Sequence, residues 1–317
     1  MTNFWKSLPQ PFTVLAPMEN VTDFVFREIV STILPKPDVL FTEFTNVEAL
    51  TSDGFEKTIK RLRFSNIQRP IVAQIWGVDP ESFYKSAQLI HKLKFDGIDI
   101  NMGCPDRAVL KGGAGAALIN NKGLVKEIIS AVKKGAGKLP VSVKTRIGFK
   151  SVVTPEWITF LLEQKIDALT VHGRTAKQMS KGSADWNEIK KAVEIRNEVS
   201  PETLIIGNGD VESYSQVIDI HEKYGVNGVM VGRGIFKNPW VFDKSRGPKK
   251  HTEKEYIKVL LKHISLNEKT RNDAKSFEPM KKFFKMYINN FKGANILRQH
   301  LMETNNYSEA NKLLKNI

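Results

Sequence analysis

Cys104 is the only cysteine among the 317 residues, and its surroundings point to chemistry rather than to packing. It lies in the run Asn101-Met-Gly-Cys-Pro105, directly after an apolar stretch that is typical of a strand. A free cysteine is more often a small buried hydrophobe. Here the flanking Gly103 and Pro105 favour a bent, exposed backbone instead. Because a thiol is largely protonated at neutral pH, we predict that Cys104 can donate a proton as well as attack as a nucleophile.

Three further polar side chains follow apolar runs where strands are expected to end. Lys144 ends one such run, and a lysine there is suited to hold the negative charge of a reduced flavin. The alternative is an ion pair with a carboxylate such as Glu43. His172 suits contact with a cofactor or a base, although a lone histidine is as often a satisfied polar residue. Gln74 offers both a donor and an acceptor to the polar edge of a ring.

Two glycine-rich runs, Gly207-Asn-Gly-Asp210 and Gly232-Arg-Gly234, come late in the chain. Glycine lets backbone N–H groups approach phosphate oxygens closely, and the N-terminus of a following helix adds a favourable dipole. Arg233 would add a charged fork to the same group. Tight strand-to-helix turns would use glycine too. The position of the two runs favours a phosphate site.

The elements that must position these residues are eight short apolar runs separated by amphipathic stretches. We predict strands at Phe12–Pro17, Val39–Phe44, Ile71–Trp76, Gly97–Met102, Val141–Arg146, Ala168–His172, Leu204–Gly207 and Gly228–Val231. We predict helices between them at Pro80–Lys94, Gly123–Lys134, Pro155–Gln164, Trp186–Arg196 and Tyr214–Tyr224. Repeated strand–helix units predict a parallel sheet, and eight suit an α/β fold closed as a (β/α)8 TIM barrel. An open, doubly wound sheet is the alternative. In a barrel, the polar and glycine residues at the strand ends would meet in one ligand-lined mouth.

The pattern changes near 244–251, a charged stretch with Gly247 and Pro248 that reads as a linker. Strand signals then stop, and Thr252-Glu-Lys-Glu255 fits a helix-capping box. Helical periodicity continues at Tyr256–Asn267, Pro279–Asn290, Ala294–Glu303 and Ser308–Leu314. We therefore predict a catalytic barrel over residues 1–243 and a small all-α helical domain over residues 244–317.

The chain carries 48 Lys and Arg against 34 Asp and Glu, a formal net charge of +14. A basic balance of this size favours a polyanionic partner, usually nucleic acid, although a solvated lysine-rich surface would give it too. Lys281, Lys282 and Lys285 lie at helical spacing beside aromatic residues, so one basic face is available for phosphates. A single cysteine excludes an internal disulfide. With no signal peptide and no apolar run of membrane length, we expect a cytoplasmic protein without a membrane partner.

Several motifs together resemble the tRNA-dihydrouridine synthase family, in the family's order and over nearly the whole barrel. The first is Ile98-Asp-Ile-Asn-Met-Gly-Cys-Pro105 followed by Gly112-Gly-Ala-Gly115. The others are Ala16-Pro-Met18, Val143-Lys-Thr-Arg146, Val171-His-Gly-Arg174, Gly207-Asn-Gly209 and Val231-Gly-Arg-Gly234. Phe291-Lys-Gly-Ala294 with Leu297-Arg298 resembles the helical domain of the bacterial members.

The resemblance implies an FMN-dependent enzyme that uses NADPH to reduce uridine in tRNA to 5,6-dihydrouridine. Hydride would pass from flavin N5 to uracil C6, and Cys104 would protonate C5 from the opposite face. FMN contacts are implied at Pro17, Met18, Gln74, Lys144, His172, Asn208, Gly209, Asp210, Gly232 and Arg233. Contacts with the uridine or the tRNA are expected at Asn101, Arg146, Arg174, Lys281, Lys285 and Arg298. No metal and no obligate protein partner are expected.

Two other functions compete with this one. A flavin-dependent reductase of a free pyrimidine, of the dihydroorotate or dihydropyrimidine dehydrogenase type, shares the cofactor but leaves the basic helical domain without a role. A non-catalytic RNA-binding protein would be colourless and would not need Cys104. The sequence does not indicate which tRNA uridine is modified.

Overall fold

The computed structural model describes residues 3–244, 251–271, 277–289 and 291–315. Gly247 and Pro248 of the predicted linker, and Asn290 at the end of one predicted helix, lie outside these ranges. The predicted boundary between the two domains at residue 243 therefore stays a prediction.

The strands form one closed parallel barrel, as the sequence predicts. In the sheet order β2-β1-β9-β8-β7-β6-β5-β4, a further pairing of β2 with β4 closes the ring and excludes the open, doubly wound sheet. The strands are buried on both faces, which explains why their sequences lack a strict alternation. Their bounds are β1 Phe12–Leu15, β2 Val39–Phe41, β3 Thr45–Asn46, β4 Ile71–Trp76, β5 Gly97–Met102, β6 Val141–Arg146, β7 Ala168–His172, β8 Leu204–Asn208 and β9 Gly228–Val231.

The predicted second strand, Val39–Phe44, is shorter than expected. It stops at Phe41, and pairing with β4 resumes only at β3. Thr42 causes the interruption because its Oγ1, rather than a strand carbonyl, accepts the backbone N–H of Gln74 at 3.1 Å. The break turns Phe44 into the mouth of the barrel. The predicted first strand also ends two residues early, at Leu15, ahead of Pro17, which has no N–H to donate.

Helices cover the outside of the barrel and continue beyond it. Their bounds are α1 Phe24–Thr32, α2 Val47–Leu50, α3 Phe55–Thr58, α4 Pro80–Lys92, α5 Arg107–Lys111, α6 Lys122–Ala136, α7 Thr154–Glu163, α8 Trp186–Val199, α9 Tyr214–Tyr224, α10 Gly234–Lys237, α11 Glu253–Arg271, α12 Lys281–Tyr287, α13 Ala294–Glu303 and α14 Tyr307–Lys315. The predicted capping box begins α11: Thr252 N–H donates to Glu255 Oε2 at 2.8 Å, and Glu255 N–H donates to Thr252 Oγ1 at 3.4 Å. The helix predicted at Pro279–Asn290 divides into a 3-10 turn, Glu278–Met280, and α12.

The inside of the barrel is apolar at its lower end and polar near its mouth. Phe12, Val39 and Ala168, at the amino ends of their strands, form one buried cluster with Trp5 of an N-terminal 3-10 turn. Trp5 is only 1% exposed and contacts Phe12, so it closes this end. Ligands therefore enter from the carboxyl ends of the strands, as is usual in this fold.

The C-terminal helices pack against the barrel through aromatic side chains. Phe283 of α12 stacks on Phe26 of α1 with ring centroids 5.2 Å apart, and on Phe236 at 6.3 Å. His263 of α11 contacts Phe26 and Phe283, and its Nδ1 lies 3.0 Å from the hydroxyl of Tyr287. This buried joint holds α12 beside the barrel mouth.

Phe283→Ala is expected to lower the free energy of unfolding by about 3 kcal/mol, because a buried ring that contacts several others is removed and a cavity is left. Urea denaturation followed by tryptophan fluorescence would measure the change. Met302→Ala, at a position 48% exposed on α13, serves as the control and should change stability by less than about 0.5 kcal/mol. Equal losses in the two variants would show that the aromatic joint contributes little.

Candidate active site

The carboxyl ends of the strands surround one cavity of about 800 Å³. Every predicted site residue except Lys281 and Arg298 lines it. These residues are Pro17, Met18, Gln74, Asn101, Cys104, Lys144, Arg146, His172, Arg174, Asn208, Gly209, Asp210, Gly232, Arg233 and Lys285. Alternate residues along a strand share a face, so Lys144 and Arg146 of β6 both turn inward. The closure of the barrel thus brings together motifs that are far apart in sequence.

The thiol of Cys104 is half-buried in the wall of this cavity and is not packed into the hydrophobic core. The Oδ1 atom of Asn101 accepts the backbone N–H of Cys104 at 2.9 Å and that of Gly103 at 3.1 Å, which bends the chain at the end of β5. Gly115 packs below the bend, where a Cβ would come within 2.8 Å of the Cys104 carbonyl oxygen. Burial raises the pKa of Cys104, so its acid form persists at neutral pH.

Gln74 and Asn101 use both ends of their amide groups within the protein. Gln74 Nε2 donates to Asp99 Oδ2 at 2.7 Å, and Gln74 Oε1 accepts from Asn101 Nδ2 at 3.0 Å. Asp99 is fully buried and also accepts from Ser142 Oγ at 2.6 Å. Asp99 and Ser142 were not among the residues predicted from the sequence to form the site. Both residues lie on the inward face of adjacent strands, two positions before Asn101 and Lys144. This spacing was the signal that could have identified them as part of the site.

Lys144 is a desolvated cation, and no hydrogen bond or ion pair joins it to the described residues. Burial lowers its pKa to about 8, and the nearby Arg146 adds to this effect. The alternative partner Glu43 is engaged elsewhere: it accepts the N–H of Asn20 at 2.7 Å and lies 3.7 Å from Arg61. The buried Asp99 carboxylate partly opposes this lowering of the Lys144 pKa, and the ammonium lines the mouth, within reach of an anionic group that enters.

His172 is neutral at physiological pH. Burial lowers its pKa well below the ordinary value, and the surrounding cations Lys144, Arg146, Arg174 and Arg233 lower it further. Its Nε2 lies 3.3 Å from Nη1 of Arg174, which can only donate, so the ring proton resides on Nδ1. His172 thus presents a neutral N–H donor rather than a positive charge.

Arg146 and Arg174, both predicted to contact tRNA or its uridine, also connect loops of the mouth. Arg146 Nε donates to the carbonyl of Gly103 at 2.6 Å, and its Nη1 donates to the carbonyls of Thr175 and Met179. Arg174 is 2% exposed, and its Nη2 contacts both carboxylate oxygens of Asp210 at 2.7 and 2.6 Å. Asp210, a predicted cofactor contact, therefore also holds Arg174.

The predicted phosphate end of the mouth is built from β8, β9 and their glycines. Gly209 has φ of 143°, and a Cβ there would lie 2.4 Å from the Cβ of Ala184, so only glycine fits without strain. Asn208 is buried and donates to the carbonyl of Met230 at 2.8 Å, which joins the two strand ends. Arg233 is exposed at the start of α10. The backbone N–H groups at these strand ends and the exposed guanidinium of Arg233 are suited to bind an anion.

The side of the mouth opposite the barrel wall is formed by α12. Lys282, Met286 and Asn289 lie beside Lys285 along this wall, and of these three only Lys282 was noted from the sequence, as part of a basic face. Lys282, Lys285 and Met286 share one face of α12 through their separations of three and four residues, which was the available signal, whereas Asn289 follows the end of the helix. Lys281 and Arg298 instead line a second groove of about 480 Å³ together with Lys282 and Lys285.

The described residues contain no group of three or more His, Cys, Asp or Glu side chains placed to hold a metal ion. Within the same ranges no helix is long and apolar enough to cross a membrane.

A closed (β/α)8 barrel that gathers a half-buried thiol and several cationic side chains at the carboxyl ends of its strands has the architecture of an enzyme of the barrel class. The chain belongs to the dihydrouridine synthase family, because the family model described as "Dihydrouridine synthase" matches residues 14–317. Two relatives are each 45% identical over 315 residues, which is 98% of this chain. They are a probable tRNA-dihydrouridine synthase of Staphylococcus aureus (94% of its length) and the probable tRNA-dihydrouridine synthase 2 of Bacillus subtilis (95%).

The family that the motifs predict is therefore confirmed, and the protein is an oxidoreductase of this type. Solved structures show the same fold at low sequence identity. Histamine dehydrogenase from Rhizobium sp. 4-9 superposes with a TM-score of 0.54 at 13% identity, covering 80% of this chain and 48% of that chain. A variant of NCR from Zymomonas mobilis gives 0.50 at 16% identity, covering 77% and 92%.

Proposed function

We propose that this protein reduces specific uridines of tRNA to 5,6-dihydrouridine, with FMN bound in the barrel mouth, NADPH as reductant and Cys104 as proton donor. Family membership and the two tRNA-dihydrouridine synthases at 45% identity support the reaction. The observation that carries the proposal is one cavity that joins the Cys104 thiol to the Lys144 cation and the glycine-rich ends of β8 and β9. Chemistry and cofactor binding thus share a single mouth.

The residues present fit an anionic flavin mononucleotide. Its phosphate would take the N–H groups around Gly209 and Gly232 and the guanidinium of Arg233, and its ring would reach Lys144 and His172. Lys144 would neutralise charge on the ring, while the Nδ1–H of His172 would donate a hydrogen bond. When bound and reduced, FMN supplies the hydride that is delivered to C6 of the uracil. Pro17, Met18 and Gln74 would complete its contacts.

Cys104 would complete the reduction by giving its proton to C5 of the uracil on the face opposite the hydride. Its raised pKa suits this task, because the group must be a protonated acid before the step. Asn101 accepts the N–H and Arg146 binds the carbonyl of the Gly103–Cys104 peptide, so the acid is placed before the substrate arrives. The target base has to leave its stack to reach this depth.

The basic face of α12, on the helical segment assigned here to tRNA binding, would hold phosphates near the flipped base. Its two predicted lysines have different surroundings. Lys285 is exposed at the mouth, whereas the side chain of Lys281 is 13% exposed and lies 2.7 Å from Glu278. Arg298 donates to the carbonyl of Ile288 and to Asn295, so part of its guanidinium is already engaged.

Lys285→Ala is expected to weaken tRNA binding and to reduce the slope of log Kd against log salt by about 1, as for the loss of one phosphate contact. Lys281→Ala is the matched control on the same helix and should change the slope by less than half as much, because its charge already faces Glu278. Filter binding over a range of salt concentrations measures both. Equal slopes in the two variants and the wild type would place the tRNA on another surface.

Parallel assays with unmodified tRNA and with free uracil test the proposed function directly. The purified protein should be yellow, and with NADPH it should form dihydrouridine in tRNA, detected by mass spectrometry of nucleosides. Free uracil should give no product, because it lacks the phosphates that α12 and the cationic mouth would hold. Turnover of uracil with none on tRNA would support the free-pyrimidine reductase instead. Colourless protein with tRNA affinity and no product would support the non-catalytic alternative.

A further inference from the structure

The buried carboxylate of Asp99 begins a chain of hydrogen bonds that ends at the backbone of Cys104. We propose that Asp99 is a positioning residue, which fixes the Gln74 and Asn101 amides in the one orientation that holds the Cys104 loop in the mouth. This inference rests on the proposed function, since it concerns the placement of the proposed proton donor.

The chain runs across neighbouring strands whose register is fixed. Gln74, Asp99 and Ser142 are direct partners on β4, β5 and β6, and Asn101 lies two residues beyond Asp99 on the same face. Bonds of 2.7 Å and 3.0 Å join Asp99 to Gln74 and Gln74 to Asn101. A last bond of 2.9 Å reaches the N–H of Cys104. All four side chains are 5% exposed or less, so water does not compete for these bonds.

The direction of each bond follows from the group at either end. An ionised Asp99 can only accept, so Gln74 must turn Nε2 towards it and leave Oε1 for Asn101. Asn101 then gives Nδ2 to Gln74 and keeps Oδ1 for the backbone of the cysteine loop. The backbone N–H groups of Gly103 and Cys104, at the other end of the chain of hydrogen bonds, can only donate and therefore require the same orientation of Asn101. Because flipping either amide would set like groups against each other, the acceptor at position 99 determines how the loop is held.

The ionised form of Asp99 is not favoured by folding. Burial raises its pKa to about 6, against the opposing effects of its bonds to Ser142 and Gln74 and of the Lys144 charge. A group whose pKa is raised in the folded state contributes less to stability as the pH rises above its unfolded value. At neutral pH the carboxylate therefore lowers the stability of the barrel compared with an uncharged group. A role in holding the catalytic loop explains this position better than a role in stability.

Three variants separate a role of Asp99 in positioning the Cys104 loop from a role in which its side chain only fills space inside the barrel. Asp99→Leu keeps much of the volume but removes the acceptor, so Gln74 is free to turn. Asp99→Asn retains an acceptor, because its Oδ1 can receive Gln74 Nε2 while its Nδ2 donates to the Ser142 hydroxyl. Asp167→Leu is the control. The Asp167 carboxylate accepts hydrogen bonds from Asn3 and from the N–H of Val141, at the amino end of β6 and so at the end of the barrel away from the mouth.

The rate of alkylation by iodoacetamide, without tRNA or NADPH, reports only on Cys104 because the chain has no other cysteine. We expect Asp99→Leu to alkylate at least about threefold faster, as a looser loop exposes the thiol, and its kcat on tRNA to fall about tenfold or more with KM within about twofold. Asp99→Asn should recover most of both values. Asp167→Leu should change the unfolding midpoint but neither rate.

A wild-type alkylation rate and kcat in Asp99→Leu would overturn the proposal. So would an Asp99→Asn variant whose alkylation rate and kcat change as much as those of Asp99→Leu. If the leucine variant does not fold, Asp99→Asn combined with Ser142→Ala replaces it. The double variant lacks the hydroxyl that would orient the new amide, so faster alkylation of Cys104 is again expected. A wild-type rate in the double variant would contradict the proposal. Should the wild type fail to reduce tRNA, the proposed function falls while the alkylation comparison still decides the role of Asp99.

Discussion

Cys104→Ala is expected to lower turnover on tRNA by about 10²- to 10⁴-fold, the usual contribution of a positioned general acid. The thiol lines the mouth and its loop is held by Asn101 and Arg146, so the substitution removes the acid without disturbing its supports. FMN content and tRNA affinity should stay at wild-type values. Single-turnover formation of dihydrouridine measures the chemical step.

Cys104→Ser is the matched control, since it keeps the size of the side chain but replaces the thiol by a much weaker acid. Its rate should remain close to that of the alanine variant. In the wild type, kcat should fall at alkaline pH as Cys104 loses its proton, and because burial raises the pKa of this thiol the fall begins above its ordinary range. Both variants should lack that alkaline limb. A near-normal rate in Cys104→Ala would remove the thiol from the mechanism.

Lys144→Met should slow reduction of the bound flavin by NADPH by about 10²-fold, comparable to the loss of one preorganised donor to a developing anion. Lys144 lies in the mouth and makes no hydrogen bond or ion pair with the described residues, although the Asp99 carboxylate is close enough to raise its pKa. Methionine keeps the length of the side chain and removes only the charge. Anaerobic stopped-flow absorbance of the flavin band measures the rate.

Lys138→Met, at an exposed position just before β6 and away from the mouth, is the control and should leave the rate unchanged. The pKa of Lys144 near 8 adds a second readout. Below that value the ammonium is charged and attracts an anion, so FMN affinity of the apo-protein should fall as pH rises from 7 to 9. The variant should lose this dependence. An unchanged pH profile in Lys144→Met would assign it to another group.

Residue types and their spacing were sufficient to predict the order of the strands and the family, and they favoured the barrel that the pairing of β2 with β4 then closed. Runs buried on both faces keep an apolar signature that does not depend on their neighbours, and glycines such as Gly209 mark positions where no side chain fits. Cys104 could be placed at a strand end because Gly103 and Pro105 flank it. Local chemistry was sufficient for each of these predictions.

The contacts of each polar residue could not be predicted before the strands were seen to pair. Arg174 was expected at the substrate, yet most of its bonds go to Asp210 and to a loop carbonyl, because the ends of β7 and β8 meet there. Asp99 looked like an ordinary strand residue until the register of β4, β5 and β6 joined it to Gln74 and Ser142. A hydrogen bond between strands that are 25 or 43 residues apart depends on how the sheet closes, and no local pattern encodes that geometry.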